Sequence, residues 1–499
     1  MFRKVLIANR GEIARRLIRA CHELGVAAVA VHSEADANTL WVREADEAYV
    51  LPGVAAAQTY LNQPLILDTA RQAGAEAIHP GYGFLSENAT FAAACREQGI
   101  VFIGPTPAAM YQMGSKARAR ETARQVGVPV TPGVDGAGLD SAELSAAAAQ
   151  LGYPILIKAS AGGGGKGMRV VWQAGEFADA LQAARGEALS SFGDDHILLE
   201  KYFTALHHVE VQILGDHHGH IVHLFERECS VQRRHQKIIE ETPAPCLSHA
   251  LRARICDAAR RLAQAVAYTS AGTIEFMVTG PDEFYLLEMN TRLQVEHPIS
   301  EWVTGVDIAA WQIRIAAGEP LAFTQADLSQ RGHALECRLY AEDPAMNFLP
   351  SIGQITAYTP PAGPGVRVDD GIEVGSHVTP YYDPMLAKII TCGQDRAEAI
   401  RKMARALRET VVLGVTTNLP YLLSILTEER FLRGDTPTSY LQEVFPVWQP
   451  DQSPDLALLL AVAAVETLRG SGASPSAAAA ATEERPFDPW GLASAWRNS

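Results

Sequence analysis

Short apolar runs alternate with stretches of helical period from the start of the chain. Val5 to Ala8 is apolar, Asn9-Arg10-Gly11-Glu12 interrupts it, a helical pattern runs through Leu17 and Cys21, and Val26 to Val31 is apolar again. This is the strand, helix, strand order of a parallel sheet. The alternation continues through Ala75 to Ile78 and Ile100 to Ile103, which predicts a doubly wound α/β domain over residues 1–115. Ligands of such sheets sit beyond the carboxyl ends of the strands, where the loop His79-Pro80-Gly81-Tyr82-Gly83-Phe84-Leu85-Ser86-Glu87-Asn88 begins. From 116 to 330 hairpins mix with helices, with strands at Ile155 to Lys158, Arg169 to Val171, Ile197 to Leu199, Val209 to Leu214 and Ile221 to Phe225, an α+β region. From 331 to 447 short strands dominate, at His333 to Tyr340, Gly353 to Tyr358, Val366 to Val368 and Met385 to Thr391, and predict a third, smaller, mostly β domain. Residues 448–499, rich in Ser and Ala between Gly470 and Thr482, read as a linker and the start of a following domain around Pro486-Phe487-Asp488-Pro489-Trp490.

The segment from Glu288 to Pro298 breaks the usual pattern of a core strand. If extended, it puts Glu288, Asn290, Arg292, Gln294 and Glu296 on one face and Met289, Leu293 and Val295 on the other. Before it, Thr273 to Val278 runs into the turn Gly280-Pro281-Asp282, and Tyr285 to Glu288 returns, a hairpin. A turn centred between Pro281 and Asp282 sets Glu275 opposite Glu288, with Cβ atoms about 4.5–5.5 Å apart. Two carboxylates so placed repel, and a hard divalent cation with oxygen ligands, Mg²⁺ or Mn²⁺, resolves the repulsion, with Asn290 as a further ligand.

Glycines 162–165 and 167 follow the apolar Ile155 to Ile157 and are flanked by Lys158 and Lys166. A dinucleotide fingerprint requires a helix next, but Met168 to Trp172 is β-like; a Walker loop requires Ser or Thr where Gly167 stands. No His-Arg-Asp or Asp-Phe-Gly triplet supports a protein kinase. What remains is a phosphate-covering hairpin. Lys116 opens a helix after Ser115, where a bound phosphate would reconcile the cation with the helix dipole. Arg233-Arg234-His235-Gln236-Lys237 is the densest basic cluster. His207, His208, His217, His218, His220 and His223 bracket a Gly-Asp turn and read as mostly solvated loop residues.

A chain of 499 residues, 47% hydrophobic and 20% charged, fits a globular protein of two or three domains. Its net charge of −15 argues against binding nucleic acid or an anionic membrane. Seven cysteines without Cys-x-x-Cys spacing read as reduced core residues. The N-terminal apolar run is too short for a signal peptide, so a cytoplasmic protein is expected.

These segments resemble the ATP-grasp enzymes, and among them the biotin carboxylases, over roughly residues 1–447. Asn9 to Ala14, His79 to Asn88, the glycine loop, Arg233 to Lys237, Glu288 to Pro298 and Glu336-Cys337-Arg338-Leu339-Tyr340-Ala341-Glu342-Asp343-Pro344 each look like a family signature, in family order. The resemblance implies an ATP-grasp domain over 116–330 with a mobile lid at about 132–203. ATP phosphorylates bicarbonate, and the CO₂ released from carboxyphosphate passes to a ureido nitrogen of biotin, the first half-reaction of an acyl-CoA or acetyl-CoA carboxylase. By this likeness Lys116, Lys158, Gly164, Gly165, Glu200, Lys201, Tyr202, Phe203, His208, Gln232, His235, Glu275 and Glu288 bind ATP. Glu275, Glu288 and Asn290 hold the metal; Lys237, Arg292, Gln294, Val295 and Glu296 hold bicarbonate, with Glu296 as general base. Arg338 and Tyr82 meet biotin, and Arg338 joins Arg292, Glu296 and Lys237 as catalytic. No Met-Lys-Met biotinylation site occurs, so biotin is expected from a carrier domain or protein in trans, within a homodimer or a larger complex that includes carboxyltransferase subunits. Another ATP-grasp ligase would lack Arg338 and the Tyr82 loop, and a noncatalytic nucleotide-binding scaffold would lack Arg292 or Glu296.

Overall fold

The computed structural model describes residues 1–159, 168–192, 195–234, 236–450 and 460–465. Parallel strands β1 (Lys4–Ile7), β2 (Ala27–Ser33), β3 (Glu47–Leu51), β4 (Ala77–His79) and β5 (Val101–Phe102) lie in the order β3-β2-β1-β4-β5. The strand order therefore reverses between β1 and β4, and the loops leaving those two strands flank the crevice. Asn9, just past β1, ties the loops together by donating to the carbonyls of Pro80 and Tyr82, each at 2.7 Å. Gly81 has φ +64°, and a Cβ there would sit 2.9 Å from the Asn9 amide nitrogen, so only glycine fits. β3 escapes the apolar pattern because Glu-Ala-Tyr-Val-Leu alternates on the half-exposed edge of the sheet.

A smaller antiparallel sheet comprises β6 (Gly133–Asp135), β7 (Ile155–Ala159), β8 (Met168–Val171) and β9 (Ile197–Lys201), in the order β6-β9-β7-β8. It has its own core, in which Ile155, Ile157, Val171 and Leu199 pack against Leu144, Phe177 and Leu181.

The large sheet holds β10 (His207–Gly215), β11 (Ile221–Arg233), β12 (Gln236–Thr242), β13 (Ser270–Val278), β14 (Phe284–Asn290) and β15 (His333–Tyr340), in the order β14-β13-β10-β11-β12-β15, and then Met385–Gly393 and Val366–Asp370. Of the strands expected in a third domain, β15, Met385–Gly393 and Val366–Asp370 thus continue this sheet, while Gly353–Gln354 and Ala357–Thr359 pair in small two-stranded sheets. The reason lies in β15, buried along its whole length: it pairs with β12 on one edge and with Met385–Gly393 on the other. Residues Met1–Trp448 form one compact unit, and Gln449–Ser499 a second, in which residues 460–465 are helical. No helix among the described residues is long and apolar enough to cross a membrane.

Alternation along β10 and β13 divides the large sheet into two faces. Val209, Val211, Ile274 and Phe276 pack against Leu251, Ile255, Ala259 and Leu262 of the helix His249–Ala265. His208, Glu210, Thr273 and Glu275 alternate with them and point the other way. Truncating Phe276 to Ala should lower the unfolding free energy by about 3–5 kcal/mol, read as a drop in the denaturant midpoint; an unchanged midpoint would show that this core does not hold the face in place.

Candidate active site

Register lines up a row of charges across four strands. Glu288 on β14 pairs with Glu275 on β13, Glu275 with Glu210 on β10, and Glu210 with Arg227 on β11. The Glu275–Glu288 pairing expected from the sequence is present, but two local differences cancel to produce it. The turn is one residue tighter, since Val278 pairs with Phe284 and Phe276 with Leu286, and a bulge at Leu287 then restores Glu288 to its place.

Glu210 and Glu275 of this row, and Glu296 beside them, survive burial because cations reach them. The Lys237 ammonium donates to Glu210 at 2.6 Å, Glu296 at 2.8 Å and Glu275 at 3.0 Å. Arg227, fully buried, donates to Glu210 at 2.6 Å, Gln212 at 2.8 Å, Ser300 at 2.9 Å and Thr273 at 3.2 Å. Arg338 spans Glu240 at 2.6 Å and Glu296 at 3.1 Å. His208 lies 2.9 Å from the other oxygen of Glu275. Burial pushes against ionisation at Glu296 and Glu275, yet Lys237 with Arg338 and with His208 respectively holds both well below the usual carboxylate range. Glu240 goes the other way, up to about 7, because burial outweighs Arg338. Burial and the facing Glu275 charge raise Glu288 as well.

The segment after β14 departs from the single extended strand the sequence suggested. It is extended only to Asn290; it then turns, and a helix runs His297–Thr304 with Glu296 at its N-cap. Pro298 in the first turn, where its missing N–H costs nothing, fixes that start. Convergence is achieved by hydrogen bonds instead of strand parity. Arg292 donates to Asn290 at 3.0 Å, Gln294 at 3.2 Å and Glu87 of the β4 loop at 2.9 Å, while Asn290 and Gln294 donate to Glu275 at 2.9 and 3.4 Å. Lys388, wholly buried, donates to the Val295 carbonyl at 2.8 Å and pairs with Glu12 at 3.2 Å; Glu12 accepts in turn from the Tyr82 hydroxyl.

Above this floor opens a cleft of about 1360 Å³ lined by Tyr82, Lys116, His208, Gln232, Lys237, Glu288, Arg292 and Arg338. Its far end is apolar, with Leu156, Leu198, Met277 and Leu286 beside Tyr202 and Phe203. There Glu200 accepts from both Arg120 and Lys158. Lys116 begins the helix Lys116–Gln125, as its place after Ser115 suggested. Lys201 lines the cleft but spends its ammonium on the carbonyls of Gly152 and Tyr153, at 2.8 and 3.2 Å. Gly164, Gly165 and His235 lie outside the described residues, as does the glycine loop. Three of the histidines read as solvated are not: His207 and His208 begin β10, with His208 buried, and His223 lies in β11 with its pKa lowered to about 4 by burial. His217, His218 and His220 are exposed. Sequence reasoning missed Glu210, Arg227, Glu240 and Lys388. The first could have been found by the same parity that marked Glu288, since His208, Glu210 and Gln212 alternate with Val209, Val211 and Ile213.

A nucleotide-sized cleft closed by a small antiparallel sheet over a large one, with paired acids on its floor, defines the class as ATP-grasp ligases. Family models match in the same order: the N-terminal domain of biotin carboxylase over residues 1–110, the ATP-binding domain of the carbamoyl-phosphate synthase L chain over 115–324, and the C-terminal domain of biotin carboxylase over 336–443. A biotin carboxylase of Nostoc sp. is 50% identical over 443 residues, 89% of this chain and 99% of that one. The human mitochondrial propionyl-CoA carboxylase alpha chain is 48% identical over 447 residues, 89% of this chain and 61% of that one. Among solved structures, the biotin carboxylase domain dimer of Hydrogenobacter thermophilus 2-oxoglutarate carboxylase, with MgADP, ADP and bicarbonate, matches with TM-score 0.84 at 47% identity, over 89% of this chain and 98% of that one. The chain belongs to the biotin carboxylase family, ATP-dependent ligases that carboxylate biotin with ATP and bicarbonate.

Replacing Arg227 with Met removes a buried cation from Glu210 and leaves that acid, among the described residues, to Lys237. Unfolding free energy should fall by about 3–5 kcal/mol, the usual loss on breaking a buried pair. Denaturation at neutral pH measures it, and a change under about 1 kcal/mol would mean that Arg227 is not needed to hold the row.

Proposed function

We propose that the cleft transfers the γ-phosphoryl group of ATP to bicarbonate at its charged end and passes the released CO₂ to biotin presented by a carrier domain or protein. The observation that carries this reading is the row of Glu288 and Glu275 facing Lys116 and Lys237, with Arg292, Gln294 and Glu296 immediately beside it. Residues 1–115, 116–330 with a lid over about 132–203, and 331–447 are the functional divisions, followed by 448–499.

ATP lies with adenine against Leu156, Leu198, Met277 and Leu286, held by the backbone of Lys201 to Phe203 and the Glu200 carboxylate, and with phosphates toward Lys116, Lys158, His208 and Gln232; the resemblance adds Gly164, Gly165 and His235 as phosphate contacts. A divalent cation fits Glu275, Glu288 and Asn290: two opposed carboxylates, one of them shifted up by burial and by the charge of the other, form an oxygen-donor set suited to Mg²⁺ or Mn²⁺. When bound it supplies neutralisation of charge on the phosphoryl oxygens. Bicarbonate sits against Arg292, Lys237, Gln294 and the Val295 backbone. Glu296 is a weak base while Lys237 and Arg338 both hold it. An arriving anion competes for those cations, and Glu296 gains basicity as they swing to the substrate, so proton removal waits for bicarbonate. Arg338 and Tyr82 then face biotin, Tyr82 with its hydroxyl engaged by Glu12 and its ring left for contact.

The matched relatives are named for propionyl-CoA and 2-oxoglutarate. The same module therefore serves different acceptors, and the choice of acceptor is assigned to a carboxyltransferase partner. A cytoplasmic homodimer or larger complex, of an acyl-CoA or acetyl-CoA carboxylase type, completes the proposal. Purified chain with ATP, Mg²⁺ and bicarbonate should release ADP faster on adding free biotin, and Glu296→Gln should lower that rate by about 10²–10⁴-fold with ATP binding intact. Biotin-independent turnover would point to another ATP-grasp ligase, and full activity in the variant would remove Glu296 from the role of base.

A further inference from the structure

A second group of donors lies on the opposite face of the large sheet, among the apolar residues that pack on the helix His249–Ala265. His207 of β10, Glu228 of β11 and Cys246 in the loop between β12 and that helix bring one ligand atom each to within 4.8 Å of one another. His207 Nδ1 is 3.0 Å from one Glu228 oxygen, and the Cys246 thiol donates to the other at 2.6 Å. In register, Glu228 opposes Val209, so it is a carboxylate on the apolar face.

Glu228 is 2% exposed, and no lysine or arginine pairs with it among the described residues. Its oxygens meet the His207 ring, the Ser230 hydroxyl and the Cys246 thiol. Its neighbours are treated differently: Glu226 is paired with Arg252 at 2.7 Å and Glu241 with Arg396 at 2.7 Å. A buried carboxylate without a permanent cation is costly, and here the groups around it are themselves metal ligands. His207 keeps 23% of its side chain exposed and Cys246 is half-buried, which leaves an entry path.

We propose that His207, Glu228 and Cys246 bind one Zn²⁺, with the fourth position taken by water, as a clip joining β10 and β11 to the loop that leads into the helix His249–Ala265. A tetrahedral ion with bonds of about 2.0–2.3 Å places its ligand atoms about 3.3–3.8 Å apart; the donors, at 3.0 and 2.6 Å from the two Glu228 oxygens and all within 4.8 Å of one another, reach that spacing by shifts of roughly an ångström. The mixed nitrogen, oxygen and sulfur set selects zinc over the hard cation suited to Glu275 and Glu288. The thiol proton leaves to solvent as the Zn–S bond forms. None of the three ligands lines the cleft.

The full chain, stripped of metal with chelator, is titrated with Co²⁺ and then with Zn²⁺. One equivalent of Co²⁺ should produce a thiolate-to-cobalt charge-transfer band in the near ultraviolet that Zn²⁺ removes. Cys246→Ser should abolish the band, and His207→Ala should weaken binding by more than the roughly 10–100-fold that disturbing an outer-shell partner causes. Cys229→Ser, which removes the buried thiol 4.0 Å from Glu296 on the other face of the sheet, should keep the band. Zn²⁺ should raise the thermal midpoint of the wild type and of neither ligand variant, while zinc-free Cys246→Ser and zinc-free wild type, assayed with Mg²⁺, should release ADP equally with biotin. A band that survives Cys246→Ser, or Co²⁺ uptake without any thiolate band, would overturn the assignment.

Discussion

Buried negative charge on one face of the large sheet is the constraint to which the rest of the chain answers. Glu210, Glu240, Glu275 and Glu296 are each at most 5% exposed, and they lie within reach of one another through Lys237, Arg227 and Arg338. Each acid taken out of water needs a cation and further hydrogen bonds to persist. The chain supplies them from every layer: Lys237 from the β11–β12 hairpin, Arg338 from β15, Arg227 from within the row, and Glu87 from the β4 loop to steady Arg292. An anionic substrate entering such a site exchanges partners with the resident acids, so binding itself redistributes the cations.

Where the sequence was legible, alternation and turn chemistry were both strong. Four strands of the N-terminal sheet, β7 to β9 of the small sheet and β15 follow from apolar runs and their punctuation. Glu275 faces Glu288 because a Gly-Pro-Asp turn closes a hairpin between two such runs. The rest was hidden for physical reasons. The bulge at Leu287 leaves no compositional trace, since one extra residue in a strand changes neither propensity nor polarity. The stretch from Thr291 to Glu296 reads as a strand by parity but is held by side-chain bonds to Glu87 and Glu275, residues remote in sequence. Lys388 looks like a surface lysine until Glu12 and the Val295 carbonyl, from two other segments, enclose it. That β15 extends a sheet begun more than a hundred residues earlier also depends on its partners alone.

The two faces of β10 carry two different chemistries. His208 and Glu210 point to the side of the cleft, among acids bridged by Lys237, and His207 points to the packed side, beside a carboxylate and a thiol. Strand alternation alone separates them, one residue apart.

The proposed grip of Glu275 and Glu288 on the ion that accompanies ATP is open to a direct measurement. Crystals grown with Mn²⁺ and a nonhydrolysable ATP analogue test it through the anomalous signal of the metal. The account predicts a manganese peak about 2.1 Å from oxygens of both carboxylates and of the nucleotide phosphates, with Lys237 turned away from Glu275. A peak bonded to neither acid, or a nucleotide whose phosphates lie away from the row, would contradict it.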